Sequence, residues 1–188
     1  MHPSKYVGRA GNKLEFALTH FPLDVKNLVC ADLGCNIGGF THCLLTHGAK
    51  KVYAVDTGYG FLDWQLRNDP RVAVMERTNA LFLKLPELVD LVTIDVGWTK
   101  QEKILPAALT LLKPGGTIIT LIKPHYEADK HLLKQGLLPL AYQQPTLNKV
   151  TASLAQLPLS IDEIITSPLT GTKGDNVEYL ALITKQCN

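Results

Sequence analysis

Two charged residues close apolar runs that are otherwise suited to the interior of a sheet. Asp95 follows Leu91-Val92-Thr93-Ile94, and Lys123 follows Thr120-Leu121-Ile122. A carboxylate beside an ammonium can serve as an acid/base pair, the acid orienting the cation that assists proton removal from a hydroxyl. Two more acids end apolar runs in the same way: Asp32 after Val29-Cys30-Ala31, and Asp56 after Val52-Tyr53-Ala54-Val55. Ligands of open α/β sheets bind beyond the carboxyl ends of the strands, so the four groups are expected on one edge. A strand-end lysine can also be a plain rim cation, its stem on apolar surface and its head in water.

The residues around Asp32 say what else binds there. Asp32-Leu33-Gly34-Cys35-Asn36-Ile37-Gly38-Gly39-Phe40 links an apolar run to an amphipathic stretch. Strand, glycine turn and helix together let a nucleotide-like ligand approach the backbone. Asp56 lies about 20 positions after Gly34, where an acid accepts hydrogen bonds from ribose hydroxyls. Glycine clusters after strands also occur as simple turns, but the acid in register argues for an adenosine-containing cofactor. The spacing Gly34-x-x-x-Gly38-Gly39 is not the G-x-G-x-x-G of dinucleotide sites. Asp32, two residues before the first glycine, would repel a pyrophosphate. S-adenosylmethionine has no phosphate and carries two cationic groups, so the pattern favours it over a nicotinamide dinucleotide.

The acceptor is narrowed by what is missing. No Asn-Pro-Pro-Tyr-like tetrapeptide follows Asp95, which argues against amino-group methylation of bases, and no cysteine neighbours Asp95 or Lys123 for attack on a pyrimidine carbon. An oxygen nucleophile remains. The four cysteines (Cys30, Cys35, Cys43, Cys187) form no C-x-x-C pair and no cluster with histidine, so no metal site is expected and the thiols read as reduced. No apolar run approaches the roughly 20 residues that span a bilayer, and residues 1–6 carry no signal-like apolar region. A cytoplasmic protein without a membrane partner is the expectation. With a net charge of only +2, any nucleic-acid surface must be a local patch.

Strand-like and helical patterns alternate along the 188 residues. Expected strands are Leu28–Leu33, Lys51–Asp56, Val72–Glu76, Leu88–Val96, Thr117–Lys123, Leu159–Thr166 and Val177–Ile183. Helices are expected over Gly39–His47, Phe61–Asn68, Gln101–Leu112 and Thr146–Leu157, with Pro145 opening the last and Lys113-Pro114-Gly115-Gly116 stopping the one before. The turn-rich 167–176 stretch reads as a hairpin loop. The fold class is therefore α/β: a Rossmann-like methyltransferase fold with a mainly parallel seven-stranded sheet and a C-terminal antiparallel hairpin. One domain is expected over 1–188. An N-terminal helical extension, 1–24, holds a helix from about Asn12 to Phe21, Asn12 and Glu15 resembling a capping box. Lys13 falls in the first turn of that helix, where the dipole disfavours a cation.

Several stretches together resemble a known family: Tyr6-Val7-Gly8-Arg9-Ala10-Gly11-Asn12-Lys13-Leu14, the loop through Gly39-Phe40-Thr41, Ala54-Val55-Asp56-Thr57-Gly58-Tyr59-Gly60, Glu76-Arg77-Thr78-Asn79-Ala80, Leu121-Ile122-Lys123-Pro124 and Asn176-Val177-Glu178-Tyr179-Leu180. With Leu62-Asp63-Trp64 and the run ending in Asp95-Val96, they resemble the FtsJ-like ribose methyltransferases, most nearly the haemolysin-A (TlyA) type rRNA methyltransferases. The resemblance covers nearly the whole chain from Tyr6. It implies S-adenosylmethionine as cofactor, RNA (rRNA or a ribosomal subunit) as substrate, and a Lys-Asp-Lys-Glu tetrad on Lys13, Asp95, Lys123 and Glu178. It also implies cofactor contacts from Asp32, Gly34, Cys35, Gly38, Gly39, Phe40, Asp56, Thr57, Asn79 and Asp95, with Asp56 on the ribose and Asn79 on the adenine. Gly8, Ala10 and Gly97-Trp98 depart from the residues usual in that family. Full-length members carry an S4-like RNA-binding domain before this region, and here the chain starts almost at the catalytic segment, so the resemblance leaves open whether the chain recognises RNA alone or with a partner that supplies this recognition.

The activity so implied is 2′-O-methylation of RNA ribose, with Lys123 as the general base or its electrostatic equivalent, Lys13 as a neighbouring cation and Glu178 holding one of the lysines. Two other readings share the residues: a small-molecule O-methyltransferase, since fold alone does not fix function, and a non-catalytic RNA- or cofactor-binding module. A basic rim is expected around the site from Lys5, Arg9, Lys13, Lys123, Lys130, Lys134 and Lys173, interleaved with Tyr6, His125 and Tyr126 for stacking on an unpaired base. The alternative is a scatter of solvated lysines.

Overall fold

The computed structural model describes residues 5–171 and 176–186. Seven strands form one sheet: β1 (Val29–Leu33), β2 (Lys51–Val55), β3 (Val72–Met75), β4 (Val89–Ile94), β5 (Leu112–Ile122), β6 (Leu159–Thr166) and β7 (Tyr179–Lys185). Their spatial order is β3-β2-β1-β4-β5-β7-β6. The first five are parallel, and β7 runs antiparallel between β5 and β6. The order reverses between β1 and β4, which opens a crevice at their carboxyl ends. β1 is buried at every position, as a central parallel strand covered on both faces must be.

Helices cover the two faces. On one, α4 (Gln101–Leu111) and α6 (Leu140–Leu154) place Ile104, Leu105, Leu147 and Leu154 against Ala31, Leu33, Val92 and Ile94. On the other, α1 (Ala10–His20), α2 (Gly39–Thr46) and the single turn α3 (Trp64–Arg67) bring Leu14, Leu18, Phe40, Leu44 and Leu66 onto Cys30, Leu91 and Ile119. Each large apolar side chain so buried contributes about 1.5–3 kcal/mol. Leu14, Ala17 and Leu18 of α1 are all buried, so the N-terminal helix is part of the core and Lys13 is carried on a fixed element. A further turn, α5 (Pro124–Glu127), follows β5 directly.

Most expected elements are present, with several shifted. α1 begins at Ala10 after Arg9, without a side-chain cap; Asn12 lies inside the helix, its N–H donating to the Arg9 carbonyl, so the capping box does not form. The helix expected over 61–68 is cut to Trp64–Arg67, because Asp63 caps it by accepting from the Gln65 N–H. The Lys113–Gly116 segment stops α4 as expected, but β5 takes it up at once, its pairing with β4 shifting register between Val89 and Leu91. α6 starts at Leu140 rather than Thr146, so Pro145 sits inside it. β7 starts two residues later than expected. Among the described residues no helix is long and apolar enough to cross a membrane. Cys30, Cys35 and Cys43 are free buried thiols. Cys187 and Lys173 lie outside the described residues.

Candidate active site

The glycine loop is shaped by contacts that exclude a side chain. Gly34 has φ +84°, and a Cβ there would stand 2.6 Å from the Asp95 carbonyl oxygen. The N–H groups of Gly34 and Cys35 both donate to the Val55 carbonyl, which ties the loop to the end of β2. Gly39 lies where α1 meets α2: a Cβ would come within 2.9 Å of the Gly11 nitrogen. Asp32 is fully buried beneath the loop. Its carboxylate accepts from the Thr41 N–H and hydroxyl at 2.9 and 2.7 Å and from the Thr93 hydroxyl at 3.0 Å. Burial pushes its carboxyl up to about 7, against the opposing pull of the threonine hydrogen bonds.

Two adjoining cavities open at the crevice and share Gly34, Asn36, Asp95 and Gly97. The smaller, about 290 Å³, is lined by Asp56, Thr57, Phe61 and Asn79 among others. Asp56 follows β2 and accepts from the Asn36 N–H at 2.9 Å and the Gly58 N–H at 2.7 Å. Asn79 lies beyond the end of β3, not on it, and its Oδ1 accepts from the Leu81 N–H at 3.0 Å. The larger cavity, about 470 Å³, takes in Cys35, Gly39 and Phe40 from the loop. Asp32 and Gly38, expected to touch a cofactor, line neither cavity. Asp32 faces the threonines instead, and a Cβ on Gly38 would meet Leu66 at 2.3 Å, which marks a packing position.

Lys13, Asp95, Lys123 and Glu178 all line the larger cavity. They meet as two ion pairs. Lys13 is only 5% exposed and its ammonium donates to the buried Glu178 carboxylate, joining α1 to the residue before β7 across 165 positions of sequence. Lys123 and Asp95 pair at 2.5 Å, their side chains 13% and 19% exposed. The Lys123 ammonium also lies 3.3 Å from the Val96 carbonyl, and the Asp95 N–H donates to the Leu33 carbonyl. Neighbouring parallel strands thus deliver the acid and the lysine to the same point, as their strand-end positions predict.

Aromatic rings stand beside the pair. Trp98, 78% exposed, lies over Tyr126 with ring centroids 4.4 Å apart, and His125 packs 4.2 Å from the same tyrosine. The Lys123 ammonium is 5.6 Å from the Tyr126 ring centre. Burial and the Lys123 charge pull His125 down to about 4, so its imidazole is neutral at pH 7. Trp98 has φ +59°, an unfavourable conformation for a bulky residue. Its ring was not among the sequence-predicted stacking groups, although a large side chain beside Gly97 in a post-strand loop is a usable signal. Tyr6, expected to stack on a base, is instead 3% exposed and packs edge-on against His42. Lys5 is paired with Glu15, and the Arg9 guanidinium donates to the Thr170 carbonyl. Lys130 and Lys134 are exposed. Among the described residues no group of three or more His, Cys, Asp or Glu side chains could hold a metal ion.

Known proteins resemble this chain in sequence and in fold. The FtsJ-like methyltransferase family model matches residues 6–185. The protein YqxC of Bacillus subtilis (strain 168) is 42% identical over 189 residues, spanning 95% of this chain and 66% of that protein. The 16S/23S rRNA (cytidine-2′-O)-methyltransferase TlyA of Mycobacterium tuberculosis (strain ATCC 25618 / H37Rv) is 38% identical over 190 residues, 96% of this chain and 69% of TlyA. A solved structure from Streptococcus thermophilus described under the hemolysin name superposes with a TM-score of 0.94 at 36% identity, covering 98% of this chain and 69% of that one. The chain therefore spans about two thirds of the length of these relatives. With the crevice, the glycine loop and both ion pairs in place across 6–185, the chain belongs to the FtsJ-like methyltransferase family.

Proposed function

We propose that the chain methylates a ribose 2′-hydroxyl of RNA, with rRNA or a ribosomal subunit as substrate and S-adenosylmethionine as cofactor. The observation that carries this reading is the meeting of Lys123–Asp95 and Lys13–Glu178 in one cavity that continues into the glycine-loop crevice. The residues present fit the cofactor. The smaller cavity offers the Asp56 and Asp95 carboxylates and has no lysine or arginine in its lining, which suits a cationic, phosphate-free adenosine derivative. Gly34 keeps the passage between the cavities free of a side chain. A cofactor bound there would supply a sulfonium-activated methyl group for transfer to the ribose oxygen, with the neutral thioether as leaving group.

The chain's own groups do the rest. Lys123 takes the hydroxyl proton as its neutral amine, becoming the ammonium that Asp95 pairs with, or, already an ammonium, faces the oxygen as negative charge builds there. Asp95 fixes the direction of the Lys123 side chain. Glu178 neutralises Lys13, so that a cation is held close to the site without an unpaired buried charge. The Trp98–Tyr126 rings flank the mouth and suit stacking against an unpaired base. A 2′-hydroxyl acceptor distinguishes RNA from DNA.

Incubation with methyl-labelled cofactor and a panel of rRNA, ribosomal subunits and tRNA, followed by mapping, tests the reading. Label on one ribose 2′-oxygen, and none on DNA of the same sequence, is expected; label on a base would overturn it. Lys123→Ala should abolish transfer while S-adenosylhomocysteine still binds. An undiminished rate in that variant would remove Lys123 from the mechanism.

A further inference from the structure

Glu127 is a buried acid, 8% exposed, that none of these steps uses. Its Oε1 accepts from the backbone N–H of Gln101 at 2.8 Å. Gln101 is the first residue of α4, and Lys100 before it provides no side-chain cap. The N–H groups of a first helical turn have no partner within the helix, and a carboxylate there also meets the positive end of the dipole. Glu127 thus caps a helix from a different element. The Gln101 side chain continues the network, its Oε1 accepting from the Thr120 hydroxyl at 2.9 Å and its Nε2 donating to the Leu121 carbonyl at 3.3 Å. Gln101 and Thr120 are 3% and 0% exposed.

Sequence position gives this contact its consequence. Trp98 stands three residues before Gln101, and Tyr126 immediately precedes Glu127. One hydrogen bond therefore ties the loop leaving β4 to the turn leaving β5, next to the 4.4 Å contact of the two rings. The unfavourable backbone of Trp98 needs such restraint from outside its own loop. We propose that Glu127 is a positioning residue which, by capping α4, locks the Trp98 loop against the Tyr126 turn and holds the aromatic platform in place for the target nucleoside of the RNA. The role of the platform rests on the RNA-methylation reading; the lock itself does not. Burial raises the Glu127 carboxyl above its usual range, while the Gln101 N–H and Lys100 pull it back down.

The experiment uses the whole chain with Trp64→Phe, which leaves Trp98 as the only tryptophan; Trp64 is 74% exposed and lines neither cavity. Tyr126→Ala in this background gives the emission of an unstacked Trp98. Glu127→Ala should move the emission to that reference and raise the KM for RNA about tenfold, the order expected for losing a hydrogen bond to a charged group. The kcat and the dissociation constant of S-adenosylhomocysteine should stay within about twofold of the Trp64→Phe protein. Glu127→Gln keeps an acceptor oxygen and should restore both readings. If Glu127→Ala fails to fold, Glu127→Asp, whose shorter reach breaks the same contact, carries the same expectations. Background emission in the Ala or Asp variant would overturn the proposal, as would a Gln variant no better than Ala, or a cofactor affinity that falls together with RNA binding. Should no RNA be methylated by the parent protein, the enzymatic reading fails, and the emission readings still decide whether Glu127 holds the rings.

Discussion

A buried ammonium and a buried carboxylate are each costly alone, and Lys13 and Glu178 are tolerated because they meet. Glu178→Ala should lose about 3–5 kcal/mol of stability by urea unfolding, since it strands the Lys13 charge. Lys13→Met with Glu178→Leu should recover most of that loss, because an apolar pair needs no desolvation, yet show no methyl transfer. Asp32 supports a pH prediction. Its folded value of about 7 lies above the ordinary value for an aspartate, so the folded state holds its proton more tightly than the unfolded state. Its contribution is fully present at low pH and is lost as pH rises from about 4 to about 7. His125, pulled down to about 4, acts in the opposite sense, losing stability as pH falls below its ordinary value. The informative quantity is therefore the difference between proteins: Asp32→Asn should gain in Tm relative to wild type as pH is raised across that window. A difference that does not change with pH would mean Asp32 is ionised throughout. Lys13 was legible as a residue placed against its local preference, whereas the inward turn of Asp32 was not, because a strand-end side chain can face either the crevice or the layer beneath it.

At the scale of elements, the departures from expectation trace to caps and prolines. Asn12 has the right side chain for a cap, but the helix extends back to Ala10, where Gly11 packs against Tyr6 and α1 crosses α2 at Gly39. Tertiary packing at the crossing overrides the local capping preference. In α6, Pro145 suggests a start that the structure moves back to Leu140. The proline costs the helix one hydrogen bond, to the Ala141 carbonyl, but both residues are exposed, so water can satisfy that oxygen. Pro145→Ala should restore the bond against a loss of unfolded-state restriction of about 0.4–1 kcal/mol. A net gain of about 1 kcal/mol, or roughly 2–4 °C in Tm, is expected by calorimetry for a chain of this size. An unchanged or lower Tm would mean the helix gains more from the rigid ring than from the bond.

Under the proposed function, the balance of charge over the whole molecule decides how RNA is held. The net charge is +2, and the structure pairs Lys13, Lys123 and Lys5 with Glu178, Asp95 and Glu15. Fewer cations face phosphate than a count of lysines suggests. Lys130 and Lys134 are exposed in the segment after α5. RNA affinity measured across a salt series should therefore give a shallow slope, about −0.7 per phosphate contacted on a single strand. Lys130→Glu/Lys134→Glu should flatten the slope by about 1.4 if each lysine meets one phosphate. Identical slopes in the two proteins would show that the basic residues after α5 do not face the RNA.

The order of elements, the crevice at the strand ends, the glycine loop and the meeting of Asp95 with Lys123 are readable in the chain alone. Each depends on information that is local in sequence: hydrophobic period, turn-forming residues, and the rule that parallel strands deliver their carboxyl ends to one edge. The place of Glu178 beside the lysines required the family resemblance, since no local signal spans 165 positions, and only the structure decided that the lysine it holds is Lys13. Only the tertiary structure decided that Tyr6 is core rather than rim, that the Asp32 carboxylate turns to Thr41 and Thr93 while Gly38 packs on Leu62 and Leu66, and that Trp98, Tyr126 and Glu127 form one unit. Secondary structure fixes where a residue lies along the chain, but which way its side chain faces, and what it meets, depends on packing between elements far apart in sequence.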